Sequence, residues 1–205
     1  IELQAALGLS LTAIKGFASP EVGTVYTRAE QLCLVTGNRS SLSDALTGLW
    51  YHHVVRGEVK RAQEIAARCF TIADEDNAPS RLLAAHLALA GMTWFGDFVA
   101  GCEHIDKALA FESEITEDVN LSIGADAKVF ARVFGCHAYW HIGKFKRATE
   151  LIEEGIARAR AIEDPFTLAI ALDYAAMQHQ FDHNNLVARK LTEEVIELCT
   201  EHQFA

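Results

Sequence analysis

Two pairs of histidines, His137 with His141 and His179 with His183, stand four residues apart. That spacing places two imidazoles on one helix face, which is where helical zinc ligation begins. Neither pair encloses the glutamate of H-E-x-x-H, and a specific zinc site draws three or four ligands from several elements. Each pair also falls at the end of an expected helix, where histidine beside the exposed carbonyls is favourable without metal. Cys136 neighbours His137, and Cys102-Glu103-His104 sets three ligand types in a row. Adjacent positions on a helix diverge by about 100°, so neither group can share a proton or a metal. The chain has no G-x-x-x-x-G-K-[ST] loop to wrap phosphates and no G-x-S-x-G elbow to present a serine. The expectation is a non-enzyme with no catalytic residue, no metal and no cofactor.

The elements that hold these residues are read from composition and spacing. Half of the 205 residues are apolar, enough to bury a core and to exclude intrinsic disorder. Eighteen basic against 28 acidic side chains give a net charge of −10, a field that repels phosphate backbones and anionic lipid surfaces. Direct nucleic-acid contact is therefore not expected, and basic patches such as Lys144-Phe145-Lys146-Arg147 read as solvated helix faces. Five scattered cysteines form no disulfide framework and point to a reducing, cytoplasmic setting. Cys33, Cys69, Cys136 and Cys199 read as small core residues. The most apolar window, Leu82 to Cys102, is interrupted by His86 and Gly96-Asp97 and falls short of a membrane span. Without an initiator methionine, and with both ends inside helical patterns, the sequence reads as a piece of a longer protein.

The punctuation is helical. Ser19-Pro20, Asn77-Ala78-Pro79 and Asp164-Pro165 each place proline where a helix begins and its missing N–H costs nothing. Between them apolar residues recur at three- and four-residue spacing, as in Ala62, Ile65, Ala66, Cys69 and Phe70. No sustained period-two alternation and no hairpin dipeptide occurs. The expected class is all-α.

Columns emerge when the chain is aligned on Gly57, Gly96, Gly143 and His183, which lie 39, 47 and 40 residues apart, with Gly16 a further 41 before the first. Four before each anchor stand His53, Met92, Tyr139 and His179; two after, Val59, Phe98, Phe145 and Asn185; five after, Ala62, Gly101, Ala148 and Ala188; thirteen after, Phe70, Leu109, Ile156 and Ile196. Glycine just past a helix closes the last turn in the left-handed conformation, and a small residue five later lets two antiparallel helices approach. Each unit is then a helical hairpin that cannot bury its apolar face alone, so the units stack into a superhelix. About five hairpins are expected, over 1–37, 41–76, 79–112, 126–163 and 165–203, with an acidic insertion over 111–125.

These columns resemble the tetratricopeptide repeat, a TPR-like solenoid, at a pitch longer than its usual length of about 34 residues. A second resemblance rests on Ala6-Leu7-Gly8, Lys15-Gly16, Ser19-Pro20-Glu21-Val22 and Tyr26-Thr27-Arg28-Ala29-Glu30-Gln31-Leu32. It continues in Gly124-Ala125-Asp126-Ala127-Lys128-Val129 and Gly143-Lys144-Phe145-Lys146-Arg147-Ala148. These segments are similar to the helical-repeat region of large bacterial signalling ATPases, with Ala127 where a proline is common. Such proteins join a P-loop ATPase to a class III nucleotidyl cyclase or a LuxR-type DNA-binding domain, and the resemblance implies such a parent.

In TPR-like solenoids the first helix of each unit lines the concave surface. That register places Asp44, Thr47, Tyr51, His86, Trp94, His137, Trp140, His141, Asp173, Met177 and Gln180 on the inner wall, with Trp50 turned to the core. Tyrosine and tryptophan suit binding hot spots, so Tyr51, His86, Trp94, His137, Trp140, His141, Asp173 and Gln180 are the candidate binding residues. The leading expectation is a non-catalytic protein-interaction and regulatory scaffold that binds a protein segment or neighbouring domains of the parent. The alternative is a small-molecule sensor, as the resembling maltose-type activators imply. A metal-dependent hydrolase on the histidine pairs ranks last. Apolar end units leave room for self-association into a homo-oligomer.

Overall fold

The computed structural model describes residues 2–115, 121 and 124–204, without the side chains of Glu2, Ala5, Met92 and Trp94. Among the described residues ten α-helices form five antiparallel hairpins: α1 (Glu2–Lys15) with α2 (Pro20–Thr36), α3 (Arg39–Val55) with α4 (Val59–Asp76), α5 (Pro79–Ala90) with α6 (Phe98–Phe111), α7 (Ala127–His141) with α8 (Phe145–Ile162), and α9 (Pro165–Phe181) with α10 (Asn185–His202). No strand occurs among the described residues. The three prolines open α2, α5 and α9, as their positions predict. Asp164 caps α9 by accepting from the Thr167 N–H, whereas Asn77 ends α4 and caps nothing at α5.

Within each hairpin the corner is the anchor residue. Gly16, Gly57, Gly96 and Gly143 have φ of 76°, 70°, 96° and 79°, and His183 takes the same left-handed conformation at 56°. The column four before the corner has a backbone role as well as a packing one. The carbonyls of His53, Tyr139 and His179 accept from the N–H of Glu58, Lys144 and Asn184, the bond that closes a Schellman end. The small column five after the corner is buried at Ala62, Gly101, Ala148 and Ala188. A Cβ on Gly101 would lie 2.0 Å from Cγ2 of Thr93, so any larger residue would push α6 off the preceding turn.

A second set of left-handed corners closes the second helices α2, α4, α8 and α10, at Gly37, Asn77, Glu163 and Gln203. Three of the four are not glycine, so composition alone carries no signal for them. The third hairpin departs from the others. Its first helix stops at Ala90 and tightens into a 3-10 turn over Gly91–Phe95, and α6 runs into another over Glu112–Glu114. Trp50 is buried as expected, its ring filling the space where a Cβ of Gly91 would lie 2.1 Å away.

Each helix packs on the next along the chain, and the first helices also touch one another in succession, α1 to α3, α3 to α5, α5 to α7 and α7 to α9. Contact along this row puts the first helices on the inside of the superhelical curve. Residues 116–120, 122 and 123 of the 111–125 insertion lie outside the described residues, but its ends are anchored. Ile115, Leu121 and Ala125 are buried, and the buried Lys128 ammonium donates to the Ile115 carbonyl at 2.9 Å. Asp126, 1 % exposed, caps α7 through the Val129 N–H and receives two bonds from Arg158 at 3.0 and 3.2 Å. Its own N–H donates to Thr167 Oγ1, joining the fourth hairpin to the fifth. No described helix is long and apolar enough to cross a membrane.

Candidate functional site

Inside the curve lies a cleft of about 420 Å³ whose walls come from both ends of the chain. Phe17, just past the first corner, faces Tyr51 of α3 at 5.7 Å between ring centroids. Tyr51 meets Phe130 of α7 edge-on at 5.7 Å, and Phe130 meets Tyr174 of α9 at 5.8 Å. Phe166 and Phe204 pack edge to face at 5.2 Å and close the far side with Ala169, Ile170, Val195 and Cys199. A neighbouring cleft of about 390 Å³ shares Tyr51, Val55, Phe130 and Tyr174 and adds Trp50, Val54, Gly57 and Phe95. Tyr51 and Phe130 touch across the hollow although a whole hairpin separates them in sequence, so the superhelix winds tightly.

One carboxylate opens into this aromatic wall. Among the described residues Asp173 is the single charged one lining the larger cleft, and the smaller has none. Its side chain is exposed to solvent. Its carboxyl has no hydrogen-bond or ion-pair partner among the described residues. The apolar surroundings push it above the ordinary carboxylate range. Burial also raises the phenol groups of Tyr51 and Tyr174; Tyr174 adds to the rise at Tyr51, and the charge of Asp173 to that at Tyr174. Cys199 is raised first by burial and then by the charge of Asp173. Rather than joining the core with Cys33, Cys69 and Cys136, Cys199 is half-buried at the cleft wall.

The other expected groove residues are distributed differently. Tyr51 and Asp173 line the cleft. His86 instead turns into the third hairpin, its Nδ1 3.0 Å from Nδ1 of His104, between the rings of Phe70 and Phe111. Burial holds His86 down to about 4, with His104 adding to the effect. His137 stands behind the wall: its Nε2 donates to the Tyr174 carbonyl at 3.0 Å, and burial lowers it to about 4. Trp140 donates to Asp182 at 2.7 Å and packs on Phe181, while His141 stacks on Phe98 at 4.2 Å and donates to the His137 carbonyl. Both seal the seam between hairpins. Gln180 is exposed away from the cleft, and Trp94 lies outside the described side chains. Asp44 is exposed, Thr47 is buried and bonded to the Ser43 carbonyl, and Met177 is half-buried.

The histidine pairs therefore serve backbone. His183 is itself a corner, beyond the end of α9 at Phe181, so it shares no helix face with His179. His52 repeats what His137 does, donating from Nδ1 to the Phe17 carbonyl at 2.9 Å and fixing the other end of the wall. Among the described residues no three His, Cys, Asp or Glu side chains converge in a way that could hold a metal. Phe17, Phe130, Phe166, Tyr174 and Phe204 are the wall residues that sequence reasoning does not single out. Their bulky apolar columns, such as Phe130 with Phe134 and Ile170 with Tyr174, read as ordinary core.

No protein-family model matches the chain, and no curated protein matches it. Among solved structures it is similar to the crystal structure of a single-substitution form of the nearly identical TPR-like repeats of a Podosopora anserina putative kinesin light chain. The TM-score is 0.59 at 17% identity, over 98% of this chain and 95% of that one. A second crystal structure of the same putative kinesin light chain repeats gives a TM-score of 0.58 at 17% identity, over 100% and 97%. The fold is thus that of an all-α, TPR-like helical-repeat superhelix.

Proposed function

We propose that this chain is a non-catalytic recognition module whose inner cleft binds a protein segment, as a regulatory scaffold of a larger bacterial signalling ATPase, cyclase or transcriptional regulator. One observation carries the reading. Four hairpins contribute rings or methyl groups to a continuous aromatic hollow, while the polar groups that chemistry would use are spent on backbone bonds at the seams. Rigid aromatic walls offer large contact area at low entropy cost, the quality that marks interaction hot spots. Resemblance to signalling ATPases supports the parent, and the TPR-like architecture supports the binding role.

A second reading, a sensor for a small molecule, is supported by size, since about 420 Å³ lies within the range of small-ligand pockets. Val55, 55 % exposed at the end of α3 and lining both clefts, gives a clean test. Val55→Arg fills the hollow from outside without disturbing buried packing. Peptides selected on the wild-type chain from a displayed random library should bind the variant at least about tenfold more weakly, at an unchanged melting temperature. Equal binding to both proteins would place recognition elsewhere and end the proposal.

A further inference from the structure

We infer that the bound protein segment inserts one basic side chain, lysine or arginine flanked by apolar residues, with its charge at Asp173 and its methylene stem laid along the wall of Tyr51, Phe130 and Tyr174. This deepens the proposal above and rests on it. Charge complementarity carries the argument. Across both clefts the described lining residues include a single ionisable carboxylate and no cation. Carboxylates at the hairpin seams are matched within the chain: Asp126 by Arg158, Asp76 by Arg39 and Arg81, Glu112 by Arg132. Asp173 has no such partner among the described residues. A negative group among rings, in a chain of net charge −10, draws cations to the cleft and repels acidic segments.

The rings favour the same occupant. A cation within about 6 Å of a ring face is attracted by the quadrupole of that ring, and Tyr51, Phe130 and Tyr174 follow one another at 5.7 and 5.8 Å around the hollow. Lysine and arginine also lay apolar stems along apolar surface while their heads reach a polar group. A norleucine side chain would satisfy the walls and leave Asp173 covered and unpaired. A glutamate would meet like charge.

The test is selection of a displayed nine-residue random peptide library on the wild-type chain and on Asp173→Asn, with Val55→Arg as the blocked control. The inference expects wild-type binders to share lysine or arginine at one fixed position. Changing that residue to norleucine, or Asp173 to Asn, should each weaken binding on the order of tenfold, and the two changes together should weaken it no further. Cleft binders with no shared basic residue, or with affinity untouched by Asp173→Asn, would overturn this inference and leave the recognition module standing. Failure to select any peptide that Val55→Arg blocks would overturn both. In that case a rise in melting temperature with benzyltrimethylammonium, absent with neopentylbenzene, would assign the same chemistry to a small organic cation.

Discussion

The seam between hairpins and the hollow they enclose are built from the same first helices, yet they treat polar groups in opposite ways. At the seam the histidines and the tryptophan that could have been ligands have partners: His137 holds the Tyr174 carbonyl, His52 the Phe17 carbonyl and Trp140 the Asp182 carboxylate, and inside the third hairpin His86 faces His104. In the hollow, rings surround a carboxylate that nothing in the described chain answers. Satisfied polar groups specify one structure, and a polar group left unanswered beside an apolar wall is where a ligand gains most. Residue type alone does not separate the two regions, because both are rich in aromatic side chains.

The sharpest way to break this contrast is acid. His86 and His137 are held near 4 by burial, so the folded chain keeps them neutral while the unfolded chain protonates near 6.5. Stability is then flat above pH 6.5 and falls as the pH drops toward 4. Chemical denaturation at pH 7 and pH 5 should differ by on the order of 3 kcal/mol, and a flat profile would mean the seam histidines are exposed. Asp126→Ala removes a cap and uncouples Arg158 at the junction of the last two hairpins. It should cost about 3 kcal/mol and lower Tm by roughly 10 °C, measured by calorimetry. Smallest is the effect of Asp173→Asn on the unliganded chain, within about 0.5 kcal/mol, since no internal partner is lost. A cost comparable to Asp126→Ala would show Asp173 to be another seam residue.

How much of this can be read from the sequence follows from where local chemistry decides the structure. The corners at Gly57, Gly96 and Gly143 are legible because glycine takes a left-handed conformation at least cost, and they carry the hairpin architecture with them. Glu163 and Gln203 take the same conformation against their own preference, and Asn77 takes it as a type that tolerates it, so no glycine marks these corners. In the groove the first helices are identifiable, but which side of each helix faces inward depends on superhelical winding. Beside the short α5 and its 3-10 extension Tyr51 meets Phe130 directly, apolar columns form the wall, and His86 turns into the third hairpin. Repeat spacing carries no record of that tightening.

The five cysteines sample both regions at once. Cys33, Cys69, Cys102 and Cys136 are buried in the packing, whereas Cys199 lines the cleft. Alkylation of the native chain with iodoacetamide, followed by mass spectrometry of its peptides, should find one modified thiol, Cys199, and the modified chain should lose the peptides that wild type selects. Labelling of Cys102 or Cys136 at a rate similar to that of Cys199 would contradict a sealed seam around an open hollow.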